Sequence, residues 1–233
     1  MHHDETMSPE FDAYASSYMD LLHDPVRDCF AGDGSFFHRR KWEVIRDCLT
    51  RRHIDPAQLS WLDIGCGQSQ LLEIAGRHFR CAVGCDPSRN MLKGCTAIVY
   101  EQPSPVDLPF ENESFDLITA VCVFHHVHGR HRMLLSESIY RVLKPGGLLC
   151  VIEHNPWNPV TRRIVRKCPL DSSAELLTAH RTRRMMQSVG LKVLETAYFL
   201  YCPASLFPAF GGIEALLRRW PIGGQYAVFG RKA

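Results

Sequence analysis

A glycine-rich turn follows a short apolar segment in the stretch WLDIGCG, at residues 61–67. Gly65 and Gly67 allow the backbone to turn tightly and to approach a ligand, because neither residue has a Cβ atom. Asp86 ends the next apolar segment, CAVGCD, 21 residues after Gly65. At this spacing an acidic residue accepts hydrogen bonds from the hydroxyl groups of a bound ribose. The turn and the acid predict a cofactor that contains ribose, and a dehydrogenase fits them equally well.

Two details of this turn argue against a bound pyrophosphate. Gln70 stands where dinucleotide-binding turns place their third glycine. Asp63 lies just before the turn, where its negative charge would repel a phosphate and attract an ammonium group. The turn therefore favours a ligand that carries an ammonium group over NAD.

Histidines are concentrated after two later apolar segments, in VFHHVHGRHR (123–132) and EHNPWNP (153–159). Because the carboxyl ends of parallel strands meet at one edge of a sheet, both segments are expected to face the same cleft. Histidine titrates near neutral pH and is the natural general base. The same run invites a metal site, but a row of surface histidines is the simpler interpretation, and we expect no metal.

The elements that position these residues alternate between strand and helix. Near-continuous apolar strands covered by helices indicate an α/β fold with a mostly parallel, doubly wound sheet. KPGG, at residues 144–147, predicts a turn from a helix into a strand. The stretch after Glu153 is rich in proline and arginine and is expected to be irregular. The predicted strands are 61–64, 80–85, 97–100, 115–123, 147–152, 191–201 and 225–229, and the predicted helices are 11–22, 39–49, 70–78, 88–94, 130–143 and 174–189.

The composition bounds the class of protein. The chain has 233 residues, of which 45% are hydrophobic and 22% are charged, and its net charge is +2. These values suit one globular α/β domain and imply no bulk attraction to nucleic acid. Its ten cysteines are scattered without a CxxC pair, which predicts reduced thiols in a cytoplasmic protein. The N-terminus has no apolar signal core, and no apolar run approaches the roughly 20 residues of a membrane span.

Four segments, in this order and spacing, resemble those of class I S-adenosylmethionine-dependent methyltransferases: LDIGCG, VGCDPS, DLPFENESFDLI and RVLKPGG. The resemblance covers about residues 60–153. It implies a Rossmann-like, doubly wound seven-stranded sheet with the last strand antiparallel. It further implies an N-terminal helical lid at residues 1–56 and a core at 57–233, with a substrate-specificity insertion at about 154–190. The implied cofactor is S-adenosyl-L-methionine.

The resemblance also assigns cofactor-binding residues. The methionine part would be lined by Asp63, Gly65, Cys66 and Gly67 and bordered by Val123 and Phe124. Asp86 would hold the ribose, and Pro87 would lie against the adenosine. Asp107 would accept from the adenine amino group, with the amide of Leu108 nearby. Ser69, where the family often has a third glycine, is a small departure.

The catalytic residues follow from the similar small-molecule O-methyltransferases of this class. There, a histidine after the fourth strand works with a carboxylate after the fifth. His125 is thus expected to be the base and Glu153 to orient it, with His126 and His154 as rivals. The alternative is that this His-His pair only shapes the cofactor pocket and caps a helix. We expect substrate and lid contacts from Tyr14, Tyr18, Asn155 and Arg162, although the tyrosines could equally pack the first helix onto the domain.

The basic stretch 161–186 bears on the substrate. It holds seven basic and two acidic residues, so its net charge is +5, against +2 for the whole chain. This predicts a small-molecule substrate that is anionic, while contact with an anionic membrane surface or a plain solvated helix face are alternatives. We expect no nucleic-acid partner, and the sequence leaves the oligomeric state open.

The sequence thus predicts an enzyme that methylates a hydroxyl or carboxylate oxygen of a small molecule. The alternatives are N-, C- or S-methylation, or a non-catalytic cofactor-binding subunit that assists another protein.

Overall fold

A seven-stranded sheet forms the centre of the structure, a computed structural model that describes residues 10–233. The strand order is β3-β2-β1-β4-β5-β7-β6. Strands β1 to β5 are parallel, and β7 runs antiparallel to both of its neighbours. The predicted doubly wound sheet with an antiparallel last strand is therefore confirmed. The strands are β1 (Ser60–Ile64), β2 (Cys81–Asp86), β3 (Ile98–Glu101), β4 (Phe115–Val121), β5 (Leu143–His154), β6 (Lys192–Phe199) and β7 (Gln225–Arg231).

Eight α-helices accompany the sheet in the described part of the chain. They are α1 (Tyr18–Leu21), α2 (Pro25–Phe30), α3 (Ser35–Arg51), α4 (Gln70–Ala75), α5 (His131–Val142), α6 (Pro159–Lys167), α7 (Ala179–Ser188) and α8 (Phe207–Leu217). Short 3₁₀ turns lie at Glu10–Ala13, Pro56–Gln58, Gly76–His78 and Pro169–Asp171. None of the helices between residues 10 and 233 is both long and apolar enough to cross a bilayer.

The core lies in two layers, one on each face of the sheet. Successive strand side chains point to opposite faces, so Leu62 of β1 packs with α5 and α7, while its neighbour Trp61 packs with α3 and α4. Because both faces are covered, the central strands are buried along nearly their whole length. Their carboxyl ends open at one edge of the sheet, where a ligand site is expected.

The N-terminal segment differs from the single helix expected at residues 11–22. A 3₁₀ turn at Glu10–Ala13 is followed by a turn at residues 14–17 and by the short α1. Asp12 explains the interruption, because its carboxylate accepts from the Ser88 hydroxyl at 2.6 Å and from the Asn90 amide at 3.0 Å. These hydrogen bonds also engage Ser88 and Asn90, which lie at the start of the helix expected at 88–94. The chain forms turns there instead of a helix. Tertiary contacts outweigh the local helical pattern in both places.

The region after β5 holds an unexpected helix. Instead of an irregular stretch, α6 begins at Pro159, with Asn158 as its N-cap, and the Asn158 side chain accepts from the Thr161 amide at 2.9 Å. Proline at the first helical position and asparagine at the N-cap both favour this start. KPGG also differs from the expected turn, since residues 144–147 bulge out within β5, between the pairings of Leu143 and Leu148 with β4.

Candidate active site

A cavity of about 370 Å³ lies at the carboxyl ends of β1, β2 and β4. The glycine turn forms part of its wall with Gly65 and Gly67, whose φ angles are +62° and +52°. A Cβ atom on Gly65 would lie 2.6 Å from Cγ2 of Val123. Glycine is thus required at residue 65 both by its left-handed backbone and by the close approach of Val123.

Two buried carboxylates flank the glycine turn. Asp86 accepts from the Gly67 amide at 2.9 Å and from the Ser88 amide at 2.8 Å, so it ties the turn to the end of β2. Asp63 accepts from the Thr119 hydroxyl at 2.5 Å. Burial raises the pKa of Asp63 to about 7, because it outweighs the effect of that hydrogen bond. The Asp63 carboxyl group can therefore switch between its neutral and charged forms near neutral pH.

The structure brings most of the expected cofactor residues together. Asp63, Gly65, Cys66, Gly67, Asp86, Pro87 and Val123 all line the cavity. It does not bring Asp107, Leu108 or Phe124 to the cavity wall: Asp107 is exposed, and the other two are buried in the core.

Gln102 and Pro105 line the cavity in that region instead. The Oε1 atom of Gln102 is buried and has no hydrogen-bond partner among the described residues, while its amide nitrogen donates to the Ser104 carbonyl at 3.2 Å. A buried acceptor without a donor is costly, so this oxygen suits a ligand's amino group. The sequence motif assigned this role to Asp107, five residues after Gln102. The sequence pattern alone does not determine the course of the loop after β3.

Lys41 is a second residue that the sequence did not single out. It lies on α3, is buried, and lines the cavity. Its ammonium group makes no ion pair within residues 10–233. An unpaired buried cation that lines the same cavity as Asp63 and the glycine turn suits a ligand that carries both a carboxylate and an ammonium group. The amphipathic pattern at 39–49 predicted the helix, but not that Lys41 would face inward.

A cluster of histidines and carboxylates forms another part of the cavity wall. His125 follows β4, and its Nδ1 atom lies 2.5 Å from Oε2 of Glu153, at the end of β5. The other oxygen of Glu153 accepts from the Phe124 amide at 2.8 Å. On the far side of the ring, Nε2 of His125 lies 3.4 Å from Oδ1 of Asp171. The expected pair of His125 and Glu153 is in contact, and Asp171 joins it from the 3₁₀ turn at Pro169–Asp171.

The two carboxylates determine the charge of His125. Burial would lower its pKa, but Glu153 and Asp171 outweigh burial and raise the pKa well above its usual range. The carboxylates in turn have lowered pKa values, because the histidine beside them offsets the effect of their own burial. His125 is therefore an imidazolium at neutral pH, with each ring nitrogen facing a carboxylate.

His126 and His154 are neutral. Burial, together with the charge of His125, lowers the pKa of each to about 4. Nε2 of His126 lies 3.5 Å from the same Asp171 oxygen, while its Nδ1 is buried without a hydrogen-bond partner in the part of the chain that the structure describes. Both rings line the cavity. Of the histidines in the cluster, His126 thus combines a neutral ring, an orienting carboxylate and an unpaired nitrogen.

The remaining expected residues lie in different places. Tyr18 lines the cavity, and burial raises the pKa of its hydroxyl. Tyr14 does not line it; Phe11 does, with its ring edge-on to His126 at a centroid distance of 4.9 Å. Asn155 is buried away from the cavity, where its amide donates to the carbonyls of residues 221 and 223. Arg162 is exposed on α6 and lies outside the cavity wall.

One nitrogen each of His125 and His126 and one oxygen of Asp171 lie within 4.8 Å of one another. Such a set could hold a divalent cation. The expectation of no metal stays a prediction.

Comparison with known proteins adds family information. Residues 62–151 match the family described as a methyltransferase domain. A human protein described as a probable tRNA methyltransferase 9B is 34% identical over 118 residues, which are 48% of this chain and 24% of that protein. An O-methyltransferase of Aspergillus sclerotiorum is 26% identical over 209 residues, 79% of this chain and 75% of its own. The chain spans only 19% to 30% of the length of the first four curated relatives it matches.

Solved structures share the fold. A SAM-dependent methyltransferase from Thermotoga maritima has a TM-score of 0.66 at 18% identity, over 96% of this chain and 98% of that one. A chain in the Haloferax volcanii complex between the Trm112 methyltransferase activator and a methyltransferase also has a TM-score of 0.66, at 19% identity, over 97% of this chain and 99% of that one.

Proposed function

We propose that this chain, a class I S-adenosylmethionine-dependent methyltransferase by its fold and by its methyltransferase domain at residues 62–151, methylates an oxygen atom of a small molecule. The domain match confirms the predicted family and, with it, S-adenosylmethionine as the cofactor. When bound, this cofactor supplies a methyl group activated by its sulfonium. Transfer of that group is an in-line displacement, so the protein mainly positions the acceptor and manages its proton.

The side chains of the cavity fit this cofactor. Asp63 would face its ammonium group and Lys41 its carboxylate, because both side chains are buried, line the cavity and are ionisable with opposite signs. Asp86 would accept from the ribose, and the unpaired oxygen of Gln102 would accept from the adenine amino group. No phosphate is needed to complete this set of partners, which agrees with the absence of the third glycine.

An oxygen acceptor that carries a proton needs a base, and we assign that role to His126. Asp171 beside Nε2 favours the tautomer with the proton on Nε2, which leaves the lone pair on Nδ1. The observation that carries this assignment is the unpaired Nδ1 of a neutral ring in the cavity wall. His125, the first candidate from sequence, is less suited, because both of its nitrogens face carboxylates and its raised pKa keeps it protonated.

The pKa of His126, about 4, also bears on the acceptor. A weak base removes a proton most effectively from an acidic oxygen, so a phenol is favoured over an aliphatic alcohol. A carboxylate is a further candidate, since the His125 imidazolium and the Lys41 ammonium would attract it and it needs no base. N-, C- or S-methylation and a non-catalytic role are the alternatives.

A second candidate acceptor is tRNA. Five curated relatives are described by that activity, three as a probable tRNA methyltransferase 9B and two as a tRNA carboxymethyluridine O-methyltransferase. Because of these relatives, the expectation that the chain has no nucleic-acid partner is not supported. Arg162, Arg163, Arg183 and Arg184 are exposed and could contact phosphates.

The test is a panel assay for S-adenosylhomocysteine release with phenols, carboxylic acids, aliphatic alcohols, amines and total tRNA. We expect release with phenols or carboxylic acids, and a mass increase of one methyl group on the acceptor oxygen. Asp63→Asn serves as the cofactor-site control and should reduce release with every acceptor. Release with amines or tRNA alone would replace the proposal by the corresponding alternative.

The ten cysteines all lie in the described chain and are free thiols, which supports placing the protein in the cytoplasm.

A further inference from the structure

Helix α8 presents its apolar side chains outward and its charged side chain inward. Glu214 is its single charged residue, and it is buried. The Glu214 carboxylate accepts from Arg40 at 3.0 Å and from the Leu200 amide at 2.7 Å, while the Arg40 guanidinium lies over the Phe207 ring. These contacts fix which face of the helix points inward. A surface helix normally has the opposite arrangement, with charges outside.

The exposed face of α8 continues into neighbouring apolar residues. Twelve large apolar side chains are exposed in the described chain, and eight of them lie in segments 155–168 and 203–222. Their exposed fractions run from 45% to 80%. The eight are Trp157, Val160, Leu206, Phe210, Ile213, Leu216, Trp220 and Ile222, and we call them, with the basic residues described next, the outer surface.

The two segments are in contact. The Asn158 amide donates to the Ile222 carbonyl at 2.8 Å, and the Asn155 amide donates to the Pro221 carbonyl at 3.0 Å. The segment that follows α8 and the start of α6 are therefore neighbours. A concentration of exposed apolar groups of this size marks an interaction site.

The charges of the outer surface are almost all positive. Segments 155–168 and 203–222 together hold six basic residues and one acidic residue, and the acidic residue is the buried Glu214. Arg162, Arg163, Arg166 and Lys167 are exposed on α6 and form no ion pair within residues 10–233. The surface thus combines aliphatic groups, two exposed tryptophans and unpaired cations, as helices that lie in a membrane interface do.

We propose that the outer surface docks onto an anionic lipid bilayer, with the face of α8 in the headgroup region and the cations of α6 against the lipid phosphates. A second copy of the chain is a poorer occupant. A two-fold interface brings the same patch of both copies together, so the cations would face each other without acidic partners. Unpaired cations beside exposed apolar groups are satisfied by an anionic bilayer, which offers both a negative surface and an apolar interior.

Docking has a consequence for the acceptor, which rests on the proposed methyl transfer. Val160 and Ile164 of α6 line a second cavity. It shares four lining residues with the candidate active site: Arg27, Phe37, His154 and Gln225. A docked protein would hold this cavity close to the lipid, which favours an amphiphilic acceptor. Membrane binding needs neither cofactor nor turnover, so the failure of one proposal is distinguishable from the failure of the other.

The test uses the full chain and sedimentation with two kinds of vesicle, one of equal parts phosphatidylglycerol and phosphatidylcholine and one of phosphatidylcholine alone. We expect binding to the anionic vesicles to be roughly tenfold or more stronger, because each interfacial cation contributes on the order of 1 kcal/mol. Tryptophan emission gives a second readout. Trp42 and Trp61 are buried, so a blue shift on binding would come from Trp157 and Trp220.

Matched variants separate the apolar and the charged contributions. Ile213→Asp with Leu216→Asp should abolish binding, whereas Leu134→Asp, an exposed position on α5, should not change it. Arg162→Gln with Arg163→Gln should weaken binding to anionic vesicles about tenfold. Arg183→Gln with Arg184→Gln, exposed on α7, should leave it unchanged.

Circular dichroism and thermal unfolding verify that each variant is folded. Absence of wild-type binding, equal binding to both kinds of vesicle, or equal losses in the α6 and α7 variants would overturn the proposal. So would a dimer in solution that Leu216→Asp converts to a monomer while vesicle binding is absent, because the occupant of the outer surface would then be a second copy.

Discussion

Replacing Glu153 by glutamine tests the charge assignment of the histidine cluster. The Glu153 side chain is 0% exposed and that of His125 is 1% exposed, so the pair is shielded from solvent. Removing one partner of a buried ion pair typically costs about 3–5 kcal/mol, because the other charge stays buried and unpaired. Glutamine keeps an oxygen for the Phe124 amide, and Asp171 still faces His125, so we expect the lower end, about 3 kcal/mol. For a chain of this size, that lowers the Tm by roughly 6–12 °C.

The loss of stability should depend on pH in a defined way. The pKa of His125 is raised in the folded protein, so its contribution is fully present below about pH 6.5 and is lost as pH rises through the folded value. The pKa of Glu153 is lowered, so its contribution is present above the ordinary glutamate pKa of 4.5 and is lost as pH falls through the lower folded value. The difference between wild type and Glu153→Gln should therefore be largest from about pH 5 to 6.5 and shrink at alkaline pH.

Urea denaturation across this pH range measures the difference in unfolding free energy. Glu137→Gln, at an exposed position on α5, is the matched control and should stay within about 0.5 kcal/mol of wild type. NMR of the His125 ring should show an imidazolium at pH 7 in the wild type and a lower pKa in the variant. Equal stability of the two glutamine variants, or a neutral His125 at pH 7, would refute the charge assignment.

Three further predictions concern cofactor binding, each measured by calorimetric titration with S-adenosylmethionine. Gly65→Ala should weaken binding at least tenfold, because its Cβ would meet Val123 at 2.6 Å in a left-handed backbone. Gly212→Ala, with open space around it, should bind normally. Equal affinities of the two variants would contradict the assignment of Gly65 to the cofactor site. Lys41→Met should weaken binding roughly tenfold through loss of a charged partner, and unchanged affinity would remove Lys41 from the site. Since the pKa of Asp63 is about 7, the affinity for S-adenosylmethionine should fall by up to about tenfold per pH unit as pH drops below 7. Asp63→Asn should remove this dependence. A flat wild-type profile would show that Asp63 does not titrate in this range.

The fold could be predicted from sequence because its signals are local. Apolar strands alternate with amphipathic helices, and the glycine turn and Asp86 mark the ends of β1 and β2. The start of α6 also had a local signal, since Asn158 and Pro159 form a typical helix N-terminus. The high proline and arginine content of the stretch after Glu153 led instead to the prediction of an irregular segment.

The details of the candidate site depend on contacts between distant segments, which periodicity does not report. Asp171 reaches the histidine cluster from a 3₁₀ turn 46 residues after His125. Lys41 enters the cavity because α3 packs against the sheet with that face inward. The preference for His126 over His125 follows from where the two carboxylates lie and from the unpaired Nδ1 of His126, since both histidines occupy adjacent positions after the same strand.

The most direct test of the proposed chemistry is the single-turnover rate of methyl transfer to the acceptor found in the panel, with His126→Ala compared with His128→Ala. His128 is exposed two residues further along the same segment and is a matched control. If the acceptor is a phenol or an alcohol, we predict that His126→Ala lowers the rate by about 10²–10⁴-fold with unchanged affinity for S-adenosylmethionine, while His128→Ala keeps the wild-type rate. Equal rates for the two variants would contradict base-assisted transfer to oxygen by His126.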